Sequence, residues 1–228
     1  MSKRSAQLKQ LIDAEIKYEM MAAIKLVKQT ANAKFKESFD VAIRLGVDSR
    51  KSDQNVRGVS NLPHGVGKNI KIAVFADVAD PKDLMKAGAI KVGMDDLVED
   101  MKAGNLDYDR VIATPAAMKL VGKLGQLLGP KGLMPNPKTG SVTNDVLQAV
   151  KQASKGQAVF RTDKAGVIHC SIGRVDFDDE KLSDNFVHLM KDLKKLKPSS
   201  SKGIYFQSCS LSSTMGPGVV VDMQTLPI

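Results

Sequence analysis

The sequence of 228 residues contains only two cysteines, which excludes a fold built on a framework of disulfide bonds. Cys170 and Cys209 lie in apolar, strand-like segments, so we expect buried, reduced thiols. No Cys and His residues have the spacing of metal ligands, and we expect neither a metal nor another cofactor. No apolar stretch approaches the ~20 residues of a membrane span, and the first ten residues lack the apolar core of a signal peptide. These absences favour a cytoplasmic protein without a membrane partner.

Acidic residues are missing from three long stretches of a chain whose net charge is +9. The stretches Met20–Lys36, Arg110–Asn144 and Leu193–Val221 contain no Asp or Glu, but each carries at least four Lys or Arg residues. One such stretch alone would indicate a solvated surface. Three of them favour a polyanionic partner, although net charge does not separate nucleic acid from a membrane surface.

Catalytic signatures are also missing. No nucleophile–base pair or carboxylate dyad can be picked out. A nucleotide-binding enzyme remains an alternative, but it would need a glycine-rich turn after its first strand, and Phe75–Asp80 contains no glycine. In the Gly125–Gly140 run, Pro130 separates Gly129 from Lys131 and no Ser or Thr follows, so a Walker-type phosphate loop does not fit. We therefore expect no enzymatic activity.

Buried strands alternate with helices in the middle of the chain, which predicts a small parallel sheet covered by helices. The expected strands are residues 71–76, 89–92 and 110–114. One expected helix begins at Asp80–Pro81. Three others cover residues 94–103, 115–121 and 141–154, and the last of these has Thr143 or Asn144 as its cap.

Both ends of the chain carry strand and helix patterns of another kind. Helical periodicity covers residues 3–36, and a half-buried strand begins at Phe39. The polar, basic stretch that follows this strand and ends in Asn61–Gly67 indicates a linker. Later come two strands around Asp163–Gly166, an amphipathic helix at 179–196, and strands in 203–222 broken at 212–217. The strand at Phe39 has no early partner, so both ends are expected to share one domain.

We therefore predict an α/β protein of two domains. Residues 1–67 and 160–228 would form a split α+β sandwich domain, and residues 68–159 an inserted, Rossmann-like three-layer α/β domain.

The Gly125–Gly140 run holds four Gly, three Pro and two Lys with no carboxylate, which predicts a long, shaped, cationic loop. Ordinary connections are about 4–6 residues long. This run closely resembles the signature of a universal ribosomal family, protein one of the large subunit. Four further segments resemble the family's motifs in the family's order: 51–58, 62–65, 160–169 and 211–218. Gln207 and Val220 depart from the commoner pattern.

The resemblance implies a function as well as the two-domain fold. It implies a structural protein that binds 23S rRNA at the mobile stalk and assists release of deacylated tRNA from the E site. It also implies repression of translation from its own operon mRNA, and a monomer when free. A non-resident RNA-binding regulator or assembly factor remains an alternative.

Lys34, Phe35, Lys36 and Glu37 form the first candidate rRNA site, because a ring stands between two cations. Core packing of Phe35 is an equal alternative to an RNA contact. Glu37 is unusual on a phosphate surface. It could accept a hydrogen bond from a 2′-hydroxyl or a base edge, or it could orient Lys34 or Arg161.

The second candidate rRNA site is Ser213, Thr214, Met215 and Gly216. Hydroxyls bond sugars and phosphates, and glycine allows a close backbone approach. Composition alone favours an ordinary turn here, and the family resemblance favours RNA. The hairpin expected to flank this strand adds three candidates, Arg161, Lys164 and His169, although a histidine is more often packed in the core.

Lys123, Lys131 and Lys138 of the insert would form a secondary RNA or tRNA surface. The two end segments hold 21 basic and 15 acidic residues, a net +6, whereas residues 68–159 hold 13 and 10, a net +3. This difference favours the end domain as the main rRNA-binding element.

Overall fold

The computed structural model describes residues 8, 11–13, 16–77 and 81–226. The chain divides into two units, Met1–Gly67 with Ala158–Ile228, and Lys68–Gln157. The helices are α1 (Met20–Thr30), α2 (Pro81–Lys86), α3 (Asp95–Lys102), α4 (Met118–Gly122), α5 (Gly125–Leu128), α6 (Val146–Ser154) and α7 (Asp179–Lys195). The strands are β1 (Ser38–Leu45), β2 (Arg57–Asn61), β3 (Ile72–Phe75), β4 (Ala89–Gly93), β5 (Arg110–Ala113), β6 (Gln157–Arg161), β7 (Val167–Arg174), β8 (Phe206–Ser213) and β9 (Val219–Val221).

The first unit contains an antiparallel sheet in the order β7-β1-β8-β9. Strand β1 lies between two late strands, so that Val41 pairs with Cys170 on one side and with Leu211 on the other. The prediction that the strand at Phe39 finds its partners near the other end of the chain is therefore confirmed.

Helices α1 and α7 share a hydrophobic core with one face of this sheet. Every second residue of β1 from Phe39 to Leu45 is buried in that core, as expected for a strand with one covered face. Helix α7 contributes a helix-period stripe of buried residues, Leu182, Phe186, Leu189, Met190 and Leu193. The intervening β1 positions, Ser38, Asp40, Ala42 and Arg44, belong to the opposite face, which we call the open face.

The linker expected in the polar stretch that ends at Gly67 was wrong in part, because this stretch contains strand β2, which pairs with β6. The buried positions of β2 are Gly58 and Ser60, so the strand lacks the alternating apolar residues that reveal a strand. Leu196 and Phe160 pack where a side chain at Gly58 would otherwise stand. Ser60 donates a hydrogen bond of 2.7 Å to the Asp192 carboxylate.

The second unit contains a parallel sheet in the order β4-β3-β5. Ile72 and Val74 of β3 face a core shared with α2 and α6, whereas Ala73 and Phe75 face one shared with α3, α4 and α5. The sheet therefore lies between two layers of helices, and the predicted parallel sheet with helical cover is confirmed.

Local details of this unit differ from the sequence predictions. Helix α6 is capped by Asp145, whose carboxylate accepts a 3.1 Å bond from Gln148 N, and not by Thr143 or Asn144. The expected cap Asp80 lies outside the described residues. The Gly125–Gly140 run is not a continuous loop, because it contains α5 and a 3-10 turn at Pro137–Thr139.

The described residues contain neither a membrane-spanning helix nor a cluster of metal ligands. None of their helices has both the length and the apolar character needed to cross a bilayer. Among the same residues, no group of three or more His, Cys, Asp or Glu side chains could hold a metal ion.

Candidate nucleic-acid interface

The carboxylate of Glu37 joins the two segments that the sequence singled out. Its Oε1 accepts a 2.9 Å bond from Ala33 N. Its Oε2 accepts 2.7 Å from Ser213 Oγ and 2.9 Å from Met215 N. Residues 33–37 and 213–215, far apart in sequence, therefore form one structural element, which we call the Glu37 clasp.

Further contacts hold the turn after β8 against the start of β1. Thr214 Oγ1 accepts a 2.9 Å bond from Ser38 N. A Cβ added to Gly216 would lie 2.5 Å from Ser213 Oγ, the hydroxyl that bonds Glu37. Glycine is therefore required here by close approach, and a larger residue would push Ser213 away from the clasp.

The clasp presents large apolar side chains to solvent. Phe35 is 54% exposed and Met215 is 57% exposed, although large apolar side chains of this kind usually pack in a protein core. Lys34 and Lys36 flank Phe35 and are exposed, with Lys36 Nζ 3.0 Å from the Asp176 carboxylate. Core packing of Phe35, the alternative left open by the sequence, does not occur.

Glu37 and Ser213 are buried, whereas residues that contact RNA are expected to be exposed. Glu37 is 2% exposed and Ser213 is buried as well, so neither side chain is presented to a ligand. Their hydrogen bonds show that they position the neighbouring residues. Thr214, Met215 and Gly216 remain accessible beside them.

The open face of the sheet extends this surface and was not recognised from the sequence. Asp40 stands between Ser171 of β7 and Ser212 of β8, and Ala42 stands between His169 and Ser210. All of these residues except Ser210 line a shallow cavity of about 340 Å³. Strand alternation placed them on one face, but only the sheet order brought the three strands together.

Burial changes the ionisation of two groups near this cavity. Desolvation raises the pKa of Asp40 above its usual value, and a hydrogen bond with Ser171 partly opposes it. Desolvation, together with the charge of Asp40, raises the pKa of Cys170 to about 12. Cys170 is therefore a neutral thiol and not a nucleophile.

Arg161, Lys164 and His169 lie where β6 turns into β7, and all three are exposed. The two strands pair in different sheets, so this short hairpin is closed only by an antiparallel bridge between Thr162 and Ile168. Asp163 organises its turn by accepting 2.8 Å bonds from Ala165 N and Val167 N. Its carboxylate also lies 3.6 Å from His169 Nε2. The Val167 bond is the main cause that lowers the pKa of Asp163, with help from Ala165 and His169.

Lys123, Lys131 and Lys138 belong to the second unit, and all three are exposed. Within the described part of the chain, none of them forms an ion pair. Pro137 and Asn136 shape the turn at Lys138, whose backbone N–H donates a 2.8 Å bond to the Asn136 side chain.

Within the first unit, the clasp, the open face and the neighbouring hairpin define a binding surface and not an active site. It combines cations, hydroxyls and exposed apolar side chains around a rigid turn, the combination used to hold phosphates, riboses and bases. The nearest thiol is neutral, and the carboxylate of the clasp is occupied by three donors.

Comparison with known proteins agrees with this class. The family model of the ribosomal protein L1p/L10e family matches residues 27–217. The chain is 53% identical over 226 residues to large ribosomal subunit protein uL1 of Coxiella burnetii (strain Dugway 5J108-111), covering 99% of this chain and 97% of the relative. It is 56% identical over 221 residues to large ribosomal subunit protein uL1 of Thiobacillus denitrificans (strain ATCC 25259 / T1), covering 97% and 96%. The chain therefore belongs to the ribosomal protein L1p/L10e family, and it is not an enzyme.

Proposed function

We propose that this protein is a structural constituent of the large ribosomal subunit that binds 23S rRNA at the mobile stalk. Its relatives are named as a large-subunit protein, and the similarity extends over nearly their whole length. The clasp is the observation that carries the rRNA part of the proposal. A buried carboxylate fixes two distant segments so that Met215 stands exposed on one of them and Phe35 stands exposed between Lys34 and Lys36 on the other.

The first unit, with residues 1–67 and 160–228 as its sequence-based bounds, is the main rRNA-binding domain in this proposal. The contacts are Lys34, Phe35, Lys36, Thr214, Met215 and Gly216, with Arg161, Lys164 and His169 on the neighbouring hairpin. Glu37 and Ser213 position them. Asp40, Ser171 and Ser212 continue the surface along the open face.

The second unit, Rossmann-like in its layers, supplies the weaker surface of Lys123, Lys131 and Lys138. We infer that this surface meets E-site tRNA or a second piece of rRNA and assists release of deacylated tRNA. We also propose that the rRNA-binding surface accepts an rRNA-like fold in the protein's own mRNA and represses its translation. The protein would be cytoplasmic, ribosome-associated and monomeric when free.

Titration of a stalk rRNA fragment and an unrelated hairpin at several salt concentrations tests this function. Binding of the stalk fragment should survive at salt concentrations that abolish binding of the hairpin. The reason is that recognition of RNA shape and contacts with bases add to the electrostatic attraction of the phosphates. Thr214→Ala and Met215→Ala should each weaken binding to the stalk fragment. Equal affinity for the two RNAs, or unchanged affinity of both variants, would refute the site.

A deletion separates the roles of the two units. Removing residues 69–156 with a short Gly/Ser bridge keeps strand β6 intact and should leave most rRNA affinity. Loss of binding in a folded deletion variant would move the main site to the second unit. Cofractionation with large subunits at high salt distinguishes a resident protein from a visiting regulator or assembly factor.

A further inference from the structure

A second groove lies at the end of β1 opposite to the clasp. It has a volume of about 710 Å³ and is lined by residues from the segments 44–54 and 200–207, with Ala165 at its edge. Ile204 stands at this groove and is 79% exposed, more than any other large apolar side chain of the described residues. We call this feature the distal groove.

The distal groove is cationic. Arg44, Lys51 and Lys202 line it, and within the described residues none of the three forms an ion pair. Asp48 is the only carboxylate among its lining residues, and its Oδ1 accepts a 3.1 Å bond from Arg50 N. The groove therefore carries an excess of two positive charges that are open to an anion.

The walls of the groove are tied together by hydrogen bonds. Gly46 N donates 2.7 Å to Tyr205 O, and Ser201 Oγ donates 2.8 Å to Gly46 O. A Cβ at Gly46 would collide with the carbonyl oxygen of Ile204, so glycine permits this close approach. Gln54 adds a third link, since its Oε1 accepts from Asp48 N and its Nε2 donates to Ser200 O.

The groove is continuous with the candidate nucleic-acid interface. Arg44 belongs to the open face, six positions after Ser38, which corresponds to about 20 Å along a strand. The hairpin that carries Lys164 borders the groove, because the next residue, Ala165, is one of its lining residues. Ser49 Oγ also donates a 2.5 Å hydrogen bond to Lys164 O and so ties this hairpin to the segment after β1. One polyanion could therefore lie over the clasp, the open face and the distal groove.

We propose that the distal groove is a second RNA-contact site, which binds the sugar–phosphate backbone at a place separate from the clasp. This inference rests on the proposed rRNA function and adds a second place of contact. Arg44, Lys51 and Lys202 pair with phosphates, and Ile204 packs on a ribose or a base face. Gln207 lies where a further cation would reach the same backbone.

A gain of affinity tests this site without relying on loss of function. Gln207→Arg should tighten binding to the stalk fragment about threefold and steepen the slope of log K against log salt by about 1, the value for one added phosphate contact. The matched control is Gln152→Arg, which adds the same charge on exposed α6 of the other unit. Equal effects of the two variants would overturn the proposal, because the gain would then be non-specific.

Charge removal gives the complementary measurement. The triple variant Arg44→Gln, Lys51→Gln and Lys202→Gln should reduce the slope of log K against log salt by about 2 to 3. Its control removes three exposed lysines from α1 and α7, which cover the other face of the sheet: Lys25→Gln, Lys191→Gln and Lys194→Gln. An unchanged slope in the groove variant, with circular dichroism confirming its fold, would refute the site.

Directed cleavage shows which RNA strand lies there. Iron–EDTA attached to Ile204→Cys should cut nucleotides different from those cut from Gly218→Cys, where an added Cβ meets nothing within 4 Å. Cleavage from Gly218 alone would overturn the groove and leave the proposed function standing. Absence of cleavage from both, together with equal binding of the unrelated hairpin, would overturn the proposed function itself.

Discussion

Replacement of Glu37 is the sharpest test of how the clasp shapes the interface. In Glu37→Ala, the hydroxyl of Ser213 and the backbone N–H groups of Ala33 and Met215 all lose their acceptor. A buried donor without a partner costs about 1–3 kcal/mol, and water can reach the two half-buried amides. We therefore expect the free energy of unfolding to fall by about 3 kcal/mol.

Glu37→Gln keeps the size of the side chain but not its two acceptors. The amide oxygen can serve only one side of the clasp, so its NH₂ group faces the N–H of either Ala33 or Met215. Ser213 can turn its hydroxyl into an acceptor, but a backbone N–H cannot. The expected loss in this variant is about 1–2 kcal/mol, between those of wild type and Glu37→Ala.

Urea unfolding measures these losses, and titration with the stalk fragment measures the functional consequence. Removing a negative charge should by itself strengthen RNA binding. Weaker binding, about tenfold for Glu37→Ala, would therefore report the cost of ordering a loosened turn. Glu99→Gln, which removes an exposed carboxylate from α3 of the other unit, is the control. Wild-type stability and affinity in both Glu37 variants would refute the organising role of the clasp.

Three further predictions follow from the described contacts. Asp40→Asn should raise the melting temperature at pH 7, because a pKa raised by burial means that the ionised form disfavours folding. The gain should shrink as the pH falls through the raised pKa of the folded state, and it should vanish only below about pH 3, where the wild-type carboxyl is protonated in both states; a gain independent of pH would contradict this. Asn185→Leu should cost about 3–5 kcal/mol in urea unfolding, since a fully buried amide that binds His64 N and two backbone carbonyls is lost; a loss below 1 kcal/mol would count against it. Cys170 and Cys209 should form no disulfide under mild oxidants and react slowly with maleimide, because β1 separates their strands by roughly 10 Å between Cα atoms and both pKa values are raised to about 12; a disulfide seen by mass spectrometry would contradict the sheet order.

Patterns of local origin were predicted well. The alternation that begins at Phe39, the apolar stripe of α7 and the parallel strands of the second unit all follow from side-chain periodicity, which local sequence records directly. Strand β2 was missed because its buried positions hold Gly58 and Ser60. Neither residue has the apolar side chain on which such patterns depend.

The site was predicted in its members but not in their roles. The sequence marked Lys34–Glu37 and Ser213–Gly216 through their residue types and through family resemblance, yet no local rule relates two segments so far apart. Only the pairing of β1 with β8 brings Glu37 to Ser213 and Met215, and this makes a residue expected at the surface a buried acceptor.

By itself, the sequence determined the family, the periodic elements and the basic character of the chain, because these depend on residue identity and short-range spacing. The tertiary structure alone decided the sheet order β7-β1-β8-β9, and with it the clasp, the open face and the distal groove. The physical reason is that hydrogen-bond donors, acceptors and charges acquire their partners across strands, where separation in sequence carries no information about contact.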